Sequence, residues 1–192
     1  SHKRQKSYYW KKSENKKFEC ELSYMRHIFN TVYFEAMIEN NSGKNGGQIK
    51  QFSFLYKLID DVKFNNNLVY NSNGNSVNSF PTISALSGRS EFVGMDNTIS
   101  NLNINSNVYS REFNLGIYGV NKGYIHNLIL EDATLSSSLN NDSYGAGLIA
   151  GKNENTISSV EVTLTGNVNK NAGGIVGINE GAIDNCVANG EM

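Results

Sequence analysis

The 192 residues suffice for one domain, or one domain with an extension. Apolar residues make up 39% and charged residues 18%, both below the usual globular share, while 30 Asn and 18 Gly stand against a single Pro. The net charge of −1 argues against polyanion binding by bulk charge, two cysteines exclude a disulfide scaffold, aperiodic glycine excludes collagen, and no apolar run approaches the roughly 18 residues that span a bilayer.

Residues 1–17 carry seven basic side chains (Lys3, Arg4, Lys6, Lys11, Lys12, Lys16, Lys17) and one acid, Glu14. Ten basic and seventeen acidic residues remain from 18 onward, a net of −7. With Tyr8, Tyr9 and Trp10 inside it, the basic stretch suits contact with an anionic surface or the solvated start of a helix. The acidic body would repel a polyanion, so no nucleic-acid partner is expected. The start shows no signal-peptide pattern, and any leader is expected to lie outside this sequence.

Phe18, Leu22, Met25, Phe29, Val32 and Ala36 recur at spacings of three and four, which places them on one helical face. Asn40, Asn41 and the Gly43–Gly47 cluster then supply a stop. The pattern predicts one amphipathic helix over about 14–39. Beyond Gly47 the period drops to two: Phe52, Phe54, Tyr56 and Leu58 alternate with less apolar positions and predict a half-buried strand, with Val62 and Phe64 continuing the pattern. Residues 65–79 are polar and Asn-rich, and are expected to form a long surface loop.

An internal repeat follows. Gly94–Ile104, Gly119–Leu130, Gly151–Val162 and Gly177–Ala188 align, with Ile99, Ile125, Ile157 and Ile183 separated by 26, 32 and 26 residues. The extra six residues are assigned to the loop 136–143. Short apolar runs flanked by glycine precede three of the units: Leu115–Gly119, Gly147–Gly151 and Gly174–Gly177. Each unit reads as a short strand, a Gly-Asn turn and a second strand of form Ile-x-x-apolar-x-apolar. Such a unit cannot bury its own apolar face, whereas stacked copies can, with glycine where turns need positive φ and asparagines pairing up the stack. The expected fold is mainly β: a parallel β-helix (solenoid) preceded by one long amphipathic α-helix. Residues 1–47 form the basic segment and helix, and 48–192 the β-helix, with its repeats at about 90–192.

On Gly147-Leu-Ile-Ala-Gly151, Gly173-Gly174-Ile-Val-Gly177 and Ile183-Asp-Asn-Cys-Val-Ala188, the chain resembles GLUG-motif repeat proteins. Phe92–Ile104 and Tyr56–Phe64 resemble the blocks that precede such repeats, so the likeness covers roughly 54–192. Residues 1–50 have no counterpart, and Leu115–Gly119 is a degenerate copy. The resemblance implies an extracellular bacterial location, as in adhesin-like surface proteins and the non-catalytic N-terminal regions of some immunoglobulin A peptidases. It implies no catalytic residues.

Other motifs favour structure over chemistry. Gly145–Lys152 fails the P-loop pattern, because residue 146 is Ala and Asn153 follows the lysine. His126 is expected on a solvent-facing slot shared with Ser100, Ser158 and Asp184, and His27 beside the helix stripe. No spacing suits a metal, and no cofactor is expected. Cys186 aligns with Leu102, Leu128 and Val160 as a core position, far from Cys20, so both thiols are expected free. The pairs Asp60-Asp61 and Glu131-Asp132 point to opposite strand faces, and Asp142 stands alone, so catalytic convergence is not expected.

The expected function is therefore a non-enzymatic extracellular or cell-surface bacterial domain for adhesion or partner interaction. It would meet a protein or glycan partner through its flat sides and the loops 65–79 and 136–143. Alternatives remain open: a minor type IV pilin-like subunit carrying a β-helix head among other pilus subunits, a non-catalytic region of a larger secreted peptidase, and a carbohydrate-active β-helix enzyme. The helix either caps the β-helix or is the soluble half of a pilin-type helix. Past Met192 the stack is expected to continue or be covered by something else.

Overall fold

The computed structural model describes residues 49–52, 55–58, 60–64, 69–70, 76–77, 79–80 and 82–192. The basic segment, Cys20, His27 and the helix expected over 14–39 lie outside the described residues.

The strands begin with β1 (Ile49–Phe52), β2 (Leu55–Leu58), β3 (Val62–Lys63), β4 (Val69–Tyr70) and β5 (Ser76–Val77). Next come β6 (Ile83–Leu86), β7 (Glu91–Ser100) and β8 (Asn103–Asn105), then a single 3-10 turn at Ser106–Val108. Beyond it lie β9 (Tyr118–Asn121), β10 (Tyr124–Ser137), β11 (Ala146–Gly147), β12 (Ala150–Asn153) and β13 (Thr156–Val168). The series ends with β14 (Ala172–Gly173), β15 (Val176–Asn179), β16 (Ala182–Asp184) and β17 (Val187–Glu191). The chain is mainly β, and among the described residues that 3-10 turn is the only helical element.

Three sheets hold nearly all of these strands, and their pairing is parallel apart from the β1–β2 edge. The largest runs β1-β2-β7-β10-β13-β16, with β3 also on β7, β8 on β10 and β17 on β13. A second runs β6-β9-β12-β15, and a third pairs β11 with β14, to which Leu115 adds a bridge at Ala146. Successive layers occupy 115–137, 146–168 and 172–191, each passing through the three sheets in the same order. Ile125 pairs with Ile157 and Ile157 with Ile183, while Tyr118, Ala150 and Val176 are in register in the second sheet.

The spacing Ile-x-x-apolar-x-apolar has a conformational cause. Asn127, Ser159 and Asn185 occupy equivalent positions, each with φ near +50° (54°, 51° and 49°). A left-handed residue there bends the strand, so Ile125 and Leu128, three apart, both turn inward; Ile157 and Val160 repeat the pattern. Asparagine tolerates that region better than most residues. The resulting columns, Phe92–Ile125–Ile157 and Ile99–Leu130–Val162, are fully buried. Each such side chain contributes on the order of 1.5–3 kcal/mol through burial.

The first unit is registered differently from the sequence alignment. Ile99 pairs with Leu130, and the partner of Ile125 is Phe92. Gly94, Met95 and Asp96 bulge opposite the single residue Asn127, with Met95 and Asp96 left-handed at 56° and 57°. The outward slot of His126 accordingly holds Val93, Ser158 and Asp184, with Ser100 opposite Glu131 instead. A second bulge sets Glu131 and Asp132 against Thr163. Between the layers 115–137 and 146–168 most of the length difference falls in 138–145, two residues later than the loop expected at 136–143, because Ser136 and Ser137 belong to β10.

Two further expectations change. The single strand expected at Phe52–Leu58 is an antiparallel pair, β1 on β2, with Phe52 opposite Leu55. Opposite positions of an antiparallel pair share a face, and Phe52 lies opposite Leu55, so the period-two alternation read from 52 to 58 does not run through one strand. Within 65–79, expected to be loop, β4 and β5 pair antiparallel through Val69–Val77 and Tyr70–Ser76.

The repeat glycines serve close approach, not positive φ. Among the described glycines only Gly190 has a left-handed-side φ, at 149°. Gly119, Gly151 and Gly177 share one column, and Gly147 and Gly173 another. A Cβ on Gly147 would lie 2.5 Å from the Ala150 carbonyl oxygen and the Val176 Cα, and one on Gly177 2.3 Å from the Ala146 nitrogen. Gly174 is instead limited by side chains, with Ala188 Cβ at 2.9 Å.

Candidate functional site

Three polar groupings stand out among the described residues, and they differ in how completely their hydrogen-bonding capacity is used.

The first is internal. Asn121 Nδ2 donates to Asn153 Oδ1, and Asn153 Nδ2 to Asn179 Oδ1, each at 2.8 Å. Asn121 Oδ1 also accepts from the Gly123 N–H at 3.0 Å, and Asn153 Nδ2 donates to the Asn155 carbonyl at 3.0 Å. Asn121 and Asn153 are wholly buried, so this column holds the turns of adjacent layers and offers nothing to a ligand. Leu86 replaces asparagine in the layer before, and the column ends there.

The second lies on the outer face of the largest sheet. His126 Nε2 meets Glu91 Oε1 and Nδ1 meets Asn127 Oδ1, both at 2.5 Å, while the Tyr124 ring stacks on the imidazole at 4.3 Å. Tyr124 Oη bonds Ser158 Oγ at 2.8 Å, and Asn127 Nδ2 donates to Asp96 at 3.1 Å. His126, expected to face solvent freely, is thus half-buried with both ring nitrogens engaged. Ser158 bonds tyrosine rather than the imidazole, so no hydroxyl is poised for activation by the histidine.

The third is a cleft of about 200 Å³ between the segment Ser106–Leu115 and the loop 138–145. Tyr109 and Phe113 meet edge to face with ring centres 4.5 Å apart. Tyr109 Oη accepts the Thr82 N–H at 3.2 Å, and burial raises its pKa above the usual tyrosine range. Glu112 holds the loop, its two oxygens accepting from the Asn140 and Asn141 N–H groups at 2.7 and 3.2 Å. Ser138 donates to Asn107 at 2.8 Å. Arg111 is exposed, and no partner takes its guanidinium among the described residues.

Of the carboxylates considered in the sequence, those of Asp60, Asp61 and Asp142 are engaged, while Glu131 and Asp132 stand exposed on a strand bulge. Asp61 accepts the Thr98 N–H at 2.8 Å, Asp142 pairs with Lys170 at 3.1 Å, and Glu131-Asp132 form the bulge opposite Thr163. In the glycine-rich stretch 145–152, the N–H groups of Ala146, Gly147 and Ile149 donate to carbonyls of neighbouring layers, and Lys152 contacts Glu154 and Glu180 at 3.2 and 2.9 Å. The Glu180 bond, then that of Glu154, raises the lysine pKa. Those amides are directed into the stack and not toward a phosphate. Cys186 is free and half-buried, its thiol donating to the Asp184 carbonyl at 3.2 Å. Among the described residues no cluster of three His, Cys, Asp or Glu could hold a metal, and no helix is long and apolar enough to cross a membrane.

The expected interaction loop 136–143 borders the cleft through Ser138 and Leu139, whereas Tyr109, Arg111 and Phe113 were not singled out. Their signal in the sequence is that Val108-Tyr-Ser-Arg-Glu-Phe113 matches none of the repeat units and sets two charged residues between two aromatic ones. No family model, curated protein or solved structure matches the chain.

Proposed function

We propose that the chain is a non-enzymatic, extracellular bacterial surface domain: a parallel β-helix of GLUG-like repeats over 48–192 that displays a binding surface to a protein or glycan partner. The observation that carries the reading is the in-register stacking of layers offset by 26 and 31–32 residues, with loop 138–145 projecting from it. Layers that cover one another provide a rigid support whose loops vary without disturbing the core. The carboxylates of Asp61, Glu91, Asp142, Glu154 and Glu180 are committed to backbone, histidine or lysine partners, which favours a binding role over acid–base chemistry at those positions. The GLUG resemblance supplies the surface location. The test is binding of the full chain to glycan arrays and immobilised matrix proteins. Saturable, selective binding is expected, and uniformly blank arrays overturn the adhesive role.

A further inference from the structure

We infer that the cleft between Tyr109–Phe113 and loop 138–145 binds a carboxylate-bearing sugar residue, with Arg111 as the anion's partner; this deepens the adhesion reading and rests on it. Of the three polar groupings, the asparagine column is buried and the His126 cluster is internally satisfied. Of these three groupings the cleft alone keeps an uncommitted cation, Arg111. The adjacent acid, Glu112, spends both oxygens on the Asn140 and Asn141 N–H groups, leaving the Arg111 fork to an outside partner. A guanidinium matches a planar carboxylate in two parallel hydrogen bonds.

The remaining walls narrow the ligand. A volume of about 200 Å³ is below that of drug-sized pockets and suits one sugar residue. Because the Tyr109 hydroxyl is held by Thr82, its ring presents carbon to the cleft, and with Phe113 it offers an apolar surface for sugar C–H groups. The Ser110 hydroxyl at the rim supplies polar contact for sugar hydroxyls. A single cation on a body of net −7 disfavours phosphate-rich ligands. The walls are a 3-10 turn and a loop rather than a sheet edge, so no ladder awaits a peptide backbone.

The test is a nitrogen-15 NMR titration of the full chain with glucuronate, glucose and N-acetylglutamate amide, repeated with Arg111→Gln and Arg111→Lys. Glucuronate is expected to shift amides within 109–113 and 138–141, more weakly at high salt, with glucose and the acidic amino acid binding at least about tenfold more weakly. Arg111→Gln, at an exposed position, is expected to retain the wild-type spectrum and weaken glucuronate about tenfold or more; Arg111→Lys, which keeps charge but loses the fork, falls between. Equal binding by Arg111→Gln, equal binding of glucose or of N-acetylglutamate amide, or no shifts at saturating glucuronate each overturns the inference. If Arg111→Gln binds arrayed partners as the parent chain does, the ligand assignment fails while the adhesion reading stands; blank arrays for the parent chain remove that reading itself.

Discussion

The layers 146–168 and 172–191 match in register at Ala146 and Ala172, Gly147 and Gly173, Asn153 and Asn179, and Ile157 and Ile183, yet their surroundings differ sharply. Ile157 is 0% exposed and Ile183, its partner, 39%; Val160 is 1% exposed, whereas Cys186 in the same column is half-buried. The difference teaches that burial here comes from the layer above as much as from the layer below. A side chain's worth depends on its place in the stack, as nearest-neighbour accounts of repeat proteins require.

Paired substitutions turn that contrast into measurements by urea denaturation. The largest gap is expected between Ile157→Ala, costing about 4 kcal/mol, and Ile183→Ala, costing about 1 kcal/mol, because only the first opens a closed cavity. Equal losses would mean that the layer 172–191 is covered. Gly147→Ala should cost about 3 kcal/mol, since the new Cβ meets backbone on several sides, against about 2 kcal/mol for Gly174→Ala, where the Leu164 methyls can move and only the Ala188 Cβ, tied to its backbone, stands closer. Asn153→Ala is expected to cost about 2 kcal/mol by stranding partners on both sides, and Asn179→Ala at most about 1 kcal/mol at the exposed end of the column. A loss of about 0.5 kcal/mol, the smallest, is expected for Glu112→Gln, with faster hydrogen exchange at Asn140 and Asn141; unchanged exchange there would show that the carboxylate does not hold the loop.

The sequence carried the stacking where equivalent positions kept equivalent residues. Ile125, Ile157 and Ile183, with Asn121, Asn153 and Asn179 four residues before them, expose the period directly. The layer before them hides its register for a physical reason: Leu86 stands where the asparagine column would continue, Phe92 replaces isoleucine, and the bulge at 94–96 shifts the register. Gly94-Met-Asp-Asn-Thr-Ile99 then imitates a repeat start at the wrong depth. The glycine spacing was legible, but its cause was not, because a close backbone approach leaves no local mark distinguishable from a turn's need for positive φ. Tyr109, Arg111 and Phe113 belong to no unit. Their convergence on one cleft depends on the turn at 106–108 and on the loop that Glu112 ties down.

The stacked layers and their buried asparagine column are tested most directly by NMR of the Asn153 side-chain amide. Its protons are expected to exchange slowly and to show contacts to the side chains of both Asn121 and Asn179. Rapid exchange without those contacts would contradict the parallel register on which the proposed β-helix rests.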